Sequence, residues 1–283
     1  MQVWLADDGA IHADWLAHYA LRFARRSGDR RLRVVHAAEP GALAAEVVER
    51  RQRLAKRYGV EVEVVETGRG GSVADRLVDA VPAAADQLLV VGMRARAGQR
   101  GVLSGTVAAN LLARGDRQVL AIRVVRPGSL GLPGHAAVAL SESAGLLDRL
   151  GPGLGALLPD LHRLTLIRVM ATEARLLARL SGAAHAEQLQ QALIWLDGVA
   201  ANLRRTCGAA APTIDTRAAV ASDWASQVLI EAARCRANLL LLGTSPRTTG
   251  PASVPLRYDA SHPLERLVRD APCDVALCAG GGQ

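Results

Sequence analysis

A chain that carries one strand-and-glycine pattern twice is restricted to folding as two like units, and this sequence does so. Val90-Val91-Gly92 is matched 151 residues later by Leu241-Leu242-Gly243. Ahead of each lies an amphipathic segment at the same offset, 72–80 and 223–231. Near each C-terminus Gln118-Val119-Leu120-Ala121-Ile122 is matched by Asp274-Val275-Ala276-Leu277-Cys278, now 156 residues on, so five extra residues follow the second glycine. A repeat of this kind sets the architecture before any single element is read. Between the copies, Arg126-Pro127-Gly128-Ser129-Leu130-Gly131-Leu132-Pro133-Gly134 is turn-rich and reads as a linker. The expected organisation is a unit at 1–126, a linker at 127–134 and a second unit at 135–283.

Within the first copy aliphatic runs alternate with amphipathic ones. Strands are expected at 2–6, 32–37, 60–66, 87–92 and 118–125, and helices at 11–27, 41–58, 72–85 and 105–114. Trp15, Leu16, Tyr19, Ala20 and Phe23 recur at the three-to-four spacing of one buried helix face. Leu43, Val47, Leu54 and Tyr58 do the same in the second helix. Continuous aliphatic strands separated by helices indicate a parallel sheet covered on both faces. The fold class is α/β, two tandem doubly wound, Rossmann-like domains. The second copy has strands expected at 135–140, 164–170, 212–217, 238–243 and 274–279. Its first helix is expected to break or kink at Gly151-Pro152-Gly153-Leu154-Gly155.

Composition narrows the function classes. The 283 residues are 50% hydrophobic and 22% charged, which suits globular cores and excludes a disordered chain. Of the net charge of +7, residues 1–127 hold +6, with 20 basic against 14 acidic side chains. That excess suits an anionic ligand. Arg22, Arg25, Arg26, Arg50, Arg51, Arg53 and Arg57 fall on predicted helices beside acidic neighbours and read as a solvated face. No basic stripe alternates with aromatics, so nucleic acid is not an expected partner. Cys207, Cys235, Cys273 and Cys278 have no metal-like spacing and read as reduced, mostly buried thiols. No apolar run reaches the roughly 18 residues of a membrane span, and the N-terminus begins with a strand and lacks a basic leader. A cytoplasmic protein without membrane contact is expected.

In an open parallel sheet, ligands sit beyond the carboxyl ends of the strands where the strand order reverses. Three segments of the first copy should converge there: Asp7-Asp8-Gly9, the run from Gly92 through Arg94, Ala95, Arg96 and Arg100 to Gly101, and Ser104-Gly105-Thr106. A carboxylate can accept from an adenine amino group or a ribose hydroxyl. A glycine after a strand lets a ligand approach the backbone. Gly105-Thr106 opens a helix whose free N–H groups suit phosphate oxygens, and Arg94, Arg96 or Arg100 could add charge-assisted contacts.

The spacing G-x2-G-x9-G-[S/T] after an aliphatic strand, with Asp-Gly after strand one, resembles the ATP-binding branch of the universal stress protein family. Here it reads Gly92-x2-Ala95-x9-Gly105-Thr106, and the resemblance spans the whole chain as two copies. It implies an adenine-nucleotide α-hydrolase-like fold with strand order 3-2-1-4-5, ATP as ligand, Mg²⁺ arriving only with the nucleotide, and a stress-response role. By that resemblance Asp8 lies near the adenine, with Asp7 as the adjacent competitor. Val35 packs against the base, and Gly92, Gly105 and Thr106 hold ribose and phosphates. It further implies that the fifth strands pair, so that Val119–Val125 meets Val275–Cys278 as an intrachain pseudo-dimer. A homodimer and an unknown protein partner stay open. Ala95 departs from the pattern, which has a second glycine there.

The second copy lacks the constellation. Ser141-Glu142-Ser143 replaces Asp-Gly, Pro246 replaces the second glycine, and Leu256-Arg257 stands thirteen residues after Gly243, with Ala260-Ser261 as the nearest small pair, displaced by the longer loop. It is expected to bind no nucleotide. Gly68-Arg69-Gly70-Gly71-Ser72 reads as a turn with Ser72 as N-cap in preference to an anion nest. His12, His18 and His36 are isolated, and no positioned general base or catalytic residue is evident, so any ATP hydrolysis should be slow. The rival reading is a nucleotide-free tandem scaffold working through protein contacts. Ligase or nucleotidyl-transferase chemistry lacks its signatures.

Overall fold

The computed structural model describes residues 1–36, 45–67, 70–93, 106–140, 146–244 and 263–280. In the first half β1 (Gln2–Ala6), α1 (Ile11–Arg26), β2 (Arg31–His36), α2 (Ala45–Tyr58), β3 (Glu61–Glu66), α3 (Val73–Ala80), β4 (Gln87–Gly92), α4 (Val107–Arg114) and β5 (Gln118–Arg123) alternate. The second half runs β6 (Gly134–Leu140), α5 (Leu146–Leu157), β7 (Leu161–Ala171), α6 (Ala174–Leu177), α7 (Gly182–Cys207), β8 (Thr213–Ala221), α8 (Trp224–Arg234), β9 (Leu239–Gly243), α9 (Pro263–Asp270) and β10 (Asp274–Ala279). β1, β4 and β10 fall where the residue pattern puts them.

Among the described residues ten strands form one sheet in the order β3-β2-β1-β4-β5-β10-β9-β6-β7-β8. Each half therefore has the order 3-2-1-4-5 read from its outer edge. Pairing is parallel within each half, and the halves join through antiparallel β5 and β10, with Cys278 opposite Leu120 and Ala276 opposite Ile122. This join covers two edges that would otherwise offer unpaired backbone groups. Of the two outer edges, β3 and β8, the one at β3 carries Glu61, Glu63 and Glu66, charges that discourage further pairing.

Side chains alternate across the sheet and bury two cores. Val3 and Leu5 of β1 belong to the core that α1, α5 and α7 cover on one face, while Trp4 belongs to the core that α3, α4, α8 and α9 cover on the other. The repeat is visible in the caps as well. Ser72 and Asp223, 151 residues apart, each accept a hydrogen bond from the backbone N–H three residues on. Ser72 completes a capping box with Asp75, as an N-cap turn should.

Four expectations need correction, the first being that α3, expected over 72–85, ends at Ala80, where Val81 turns extended ahead of Pro82. The glycine-proline run does not break its helix: α5 continues through Pro152 to Leu157. The reason lies beneath it, where Gly153 rests on the β5–β10 seam. A Cβ there would strike Cys278 Sγ and approach Leu120 Cδ1 to 3.1 Å, so the absent side chain lets the helix dock against the sheet. Strands β7 and β8 are longer than expected, spanning Leu161–Ala171 and Thr213–Ala221. Arg51 is not on a solvated face; at 1% exposure it is among the most deeply buried large side chains.

The linker is seated, not slack. The Arg22 Nε–H donates to the Leu130 carbonyl at 3.0 Å. Gly131 has φ +67°, and a Cβ on it would lie 2.6 Å from the Tyr19 nitrogen. Across the same junction Arg26 of α1 reaches Asp160, with Nη1 2.7 Å from Oδ2.

Candidate functional site

The carboxyl ends of β1, β2 and β4 lie side by side, because β1 pairs with both others and Leu5 stands opposite Val34 and Val90. After β1 the chain makes a short turn through Asp7, Asp8 and Gly9 (φ +74°) and enters α1 at Ile11. Asp7 and Asp8, adjacent in sequence, have opposite fates. Asp7 is 4% exposed and turned inward. Its Oδ2 accepts from Arg51 Nε at 2.5 Å, and its Oδ1 accepts from the Gly9 N–H at 2.8 Å and from Arg51 Nη2 at 3.3 Å. Asp8 is exposed and accepts from the Ala10 N–H at 3.1 Å. Of the two competing aspartates, the outward one is Asp8.

Arg51 comes from α2, where Val47, Arg51 and Ala55 recur every four residues on the inward stripe. That four-residue spacing is the signal of its burial in the sequence, set against the usual place of arginine at the surface. Its remaining guanidinium nitrogen, Nη1, pairs with Asp14 in the first turn of α1. Burial by itself would lower the Arg51 pKa, but the hydrogen bonds and charges of Asp7 and Asp14 raise it above the ordinary value, so the guanidinium stays charged. Arg50 is half-exposed at the rim. It donates to the Gly9 carbonyl at 3.1 Å and pairs with Asp14 at 3.1 Å. The His36 Nδ1–H donates to the Asp7 carbonyl at 2.7 Å, which ties the end of β2 to the same turn.

The other expected residues are distributed as follows. Gly92 ends β4 and is exposed; an added Cβ would make only ordinary contact with Leu16, at 3.6 Å. Val35 is fully buried with Trp4 and Leu89 and contributes no exposed surface at the strand ends. Thr106 is the N-cap of α4, its Oγ1 accepting from the Ala109 N–H at 3.1 Å. Arg94, Ala95 and Gly105 lie outside the described residues. So do Ser141, Glu142, Ser143, Pro246, Leu256 and Arg257 of the second half. There Thr244 is buried, and its N–H donates to the Cys278 carbonyl at 2.7 Å, as the Met93 N–H does to Ile122 at 2.9 Å.

The arrangement presents one outward carboxylate, an exposed strand-end glycine and a capped helix N-terminus, supported from beneath by a buried ion-paired cluster. Among the described residues no group of three or more His, Cys, Asp or Glu side chains could hold a metal ion, and no helix is long and apolar enough to cross a membrane.

The fold defines a pair of doubly wound halves joined edge to edge. Solved structures share this whole arrangement. A universal stress protein from Archaeoglobus fulgidus DSM 4304 superposes with a TM-score of 0.62 at 16% identity, covering 98% of this chain and 96% of that one. The cytoplasmic domain of a prokaryotic cation chloride cotransporter gives 0.60 at 11% identity, covering 100% and 96%. A functionally unknown protein from Pseudomonas aeruginosa PAO1 gives 0.55 at 13% identity, covering 99% and 93%. The chain thus has the fold of universal stress proteins across its full length. No protein-family model matches it, and no curated protein matches it.

Proposed function

We propose that this chain is a tandem universal stress protein that binds ATP, or a related adenine nucleotide, through its N-terminal half and serves a stress-response role. The observation that carries the reading is the split between the two aspartates. Arg51 holds Asp7 in the core, while Asp8 stands outward one strand away from exposed Gly92. Asp8 would accept from the adenine amino group or a ribose hydroxyl. Gly92 would let the sugar approach the backbone, and the first N–H groups of α4 beyond the Thr106 cap would face phosphate oxygens. Mg²⁺ would arrive with the phosphates. Asp7 is buried and committed to Arg51, which leaves it unsuited to act as a base, so the protein works as a binder with at most slow hydrolysis.

The alternative of a nucleotide-free scaffold is favoured by Ala95 in the glycine pattern and by the extensive seating of one half on the other. Mass spectrometry of small molecules retained on the purified protein separates the two readings. The proposal expects an adenine nucleotide on the native chain and its loss from a Gly105→Asp variant. Retention of none by either, together with no binding of added ATP, leaves the scaffold.

A further inference from the structure

We infer that Arg51 is a positioning residue of the nucleotide site: a buried clamp that fixes the β1–α1 turn and so sets the direction in which Asp8 is presented. The inference rests on the nucleotide reading above and adds a residue to it. One guanidinium, delivered by α2, takes hold of the chain on both sides of the turn. It grips Asp7 immediately before Asp8, through both carboxylate oxygens at 2.5 and 3.3 Å, and Asp14 three residues after Ile11. The turn is also held from inside by Asp7 Oδ1 on the Gly9 N–H, from α2 by Arg50 on the Gly9 carbonyl, and from β2 by His36 on the Asp7 carbonyl. Asp8 is therefore flanked by fixed backbone on either side.

Burial alone does not account for this choice of residue. Apolar side chains of similar volume commonly stabilise a core as well as a buried ion pair does, because desolvating two charges offsets their attraction. What an apolar filler cannot supply is direction. The planar guanidinium fork meets carboxylates at fixed angles, and lysine does not reproduce that geometry. The cluster also lies directly beneath the turn, where direction matters to a ligand.

The test uses the full chain without nucleotide, then with ATP and Mg²⁺. Arg51→Met leaves the Asp7 charge buried and unpaired, so the informative variant is Arg51→Met combined with Asp7→Asn, which removes that charge and keeps an oxygen for the Gly9 N–H. Arg51→Lys is the second variant, since it keeps a positive charge in the core. Native-state hydrogen exchange should become about tenfold faster at Gly9 and Ala10 while β1 and β4 amides keep their protection. ATP affinity should fall by about tenfold, the order expected when a charge-assisted contact is misaligned. Variants that fold with unchanged protection at Gly9 and Ala10 overturn the clamp. So does faster exchange in the turn with ATP affinity unaltered. A native chain that binds no ATP, with variants that still loosen the turn, overturns the nucleotide reading and keeps the clamp as a property of the fold.

Discussion

The Tyr19 hydroxyl donates to Asp274 Oδ2 at 2.6 Å, linking α1 of the first half to the first residue of β10 in the second. The other Asp274 oxygen accepts from the Val125 and Arg126 N–H groups at 2.7 and 2.8 Å, where the chain leaves β5 for the linker. One buried carboxylate thus joins both halves and the segment between them. Tyr19→Phe removes a donor and leaves Asp274 short of a partner in the core, at a cost of about 1–3 kcal/mol. Urea denaturation should show that loss as a lower midpoint.

The same pair makes stability depend on alkaline pH. Burial, reinforced by the Asp274 charge, raises the Tyr19 pKa far above its ordinary value. The folded state keeps the hydroxyl protonated where the unfolded chain releases its proton. The Tyr19 contribution is therefore complete below about pH 10 and declines as the pH rises beyond it. A denaturation series in alkaline buffers should show that decline in the native chain and a smaller one in Tyr19→Phe.

The linker offers a matched pair of glycines. Gly131→Ala puts a Cβ on a left-handed residue 2.6 Å from the Tyr19 nitrogen, whereas Gly128 has nothing within 4 Å of the same atom. The first substitution should cost about 2 kcal/mol or more, and the second within about 0.5 kcal/mol of nothing. Equal unfolding midpoints for the two variants would show that the linker is not seated on α1.

The seam under α5 is tested by a double-mutant cycle. Gly153→Ala should destabilise by about 1–3 kcal/mol through overpacking against Cys278 and Leu120. Cys278→Ala, by removing the sulfur, should recover part of that loss, giving a coupling of about 0.5 kcal/mol or more. Strict additivity of the two substitutions would place the strain elsewhere.

Much of this architecture was legible because it rests on local pattern. The aliphatic runs that became β1, β4 and β10 are buried on both faces, so their composition declares them. The 151-residue offset matched the two helices that Ser72 and Asp223 open, while the β5–β10 join was expected from the family resemblance and not from any local pattern. The misread places are those where a distant contact decides. Pro152 predicts a break unless one knows that Gly153 will lie on Cys278, 125 positions away in sequence. Arg51 reads as solvent-facing until Asp7 and Asp14 are brought to it from β1 and α1. Likewise nothing local separates Asp7 from Asp8; only the arrival of α2 from one side turns the first inward.

At α4 the Thr106 hydroxyl holds the Ala109 N–H. Thr106→Ala should lose about 1 kcal/mol of stability and Thr106→Ser very little, since serine keeps the capping oxygen. The alanine variant should also bind ATP more weakly than the serine variant, because a frayed first turn no longer presents ordered N–H groups to phosphate. Equal affinities would remove α4 from the proposed site.

The central claim is that the carboxyl rim of the N-terminal half is a nucleotide site, and titration calorimetry with ATP and Mg²⁺ tests it most directly. The account predicts saturable heat corresponding to one site per chain, weakened in Asp8→Asn and accompanied by a rise in unfolding temperature. No heat and no thermal shift at millimolar ATP would contradict it.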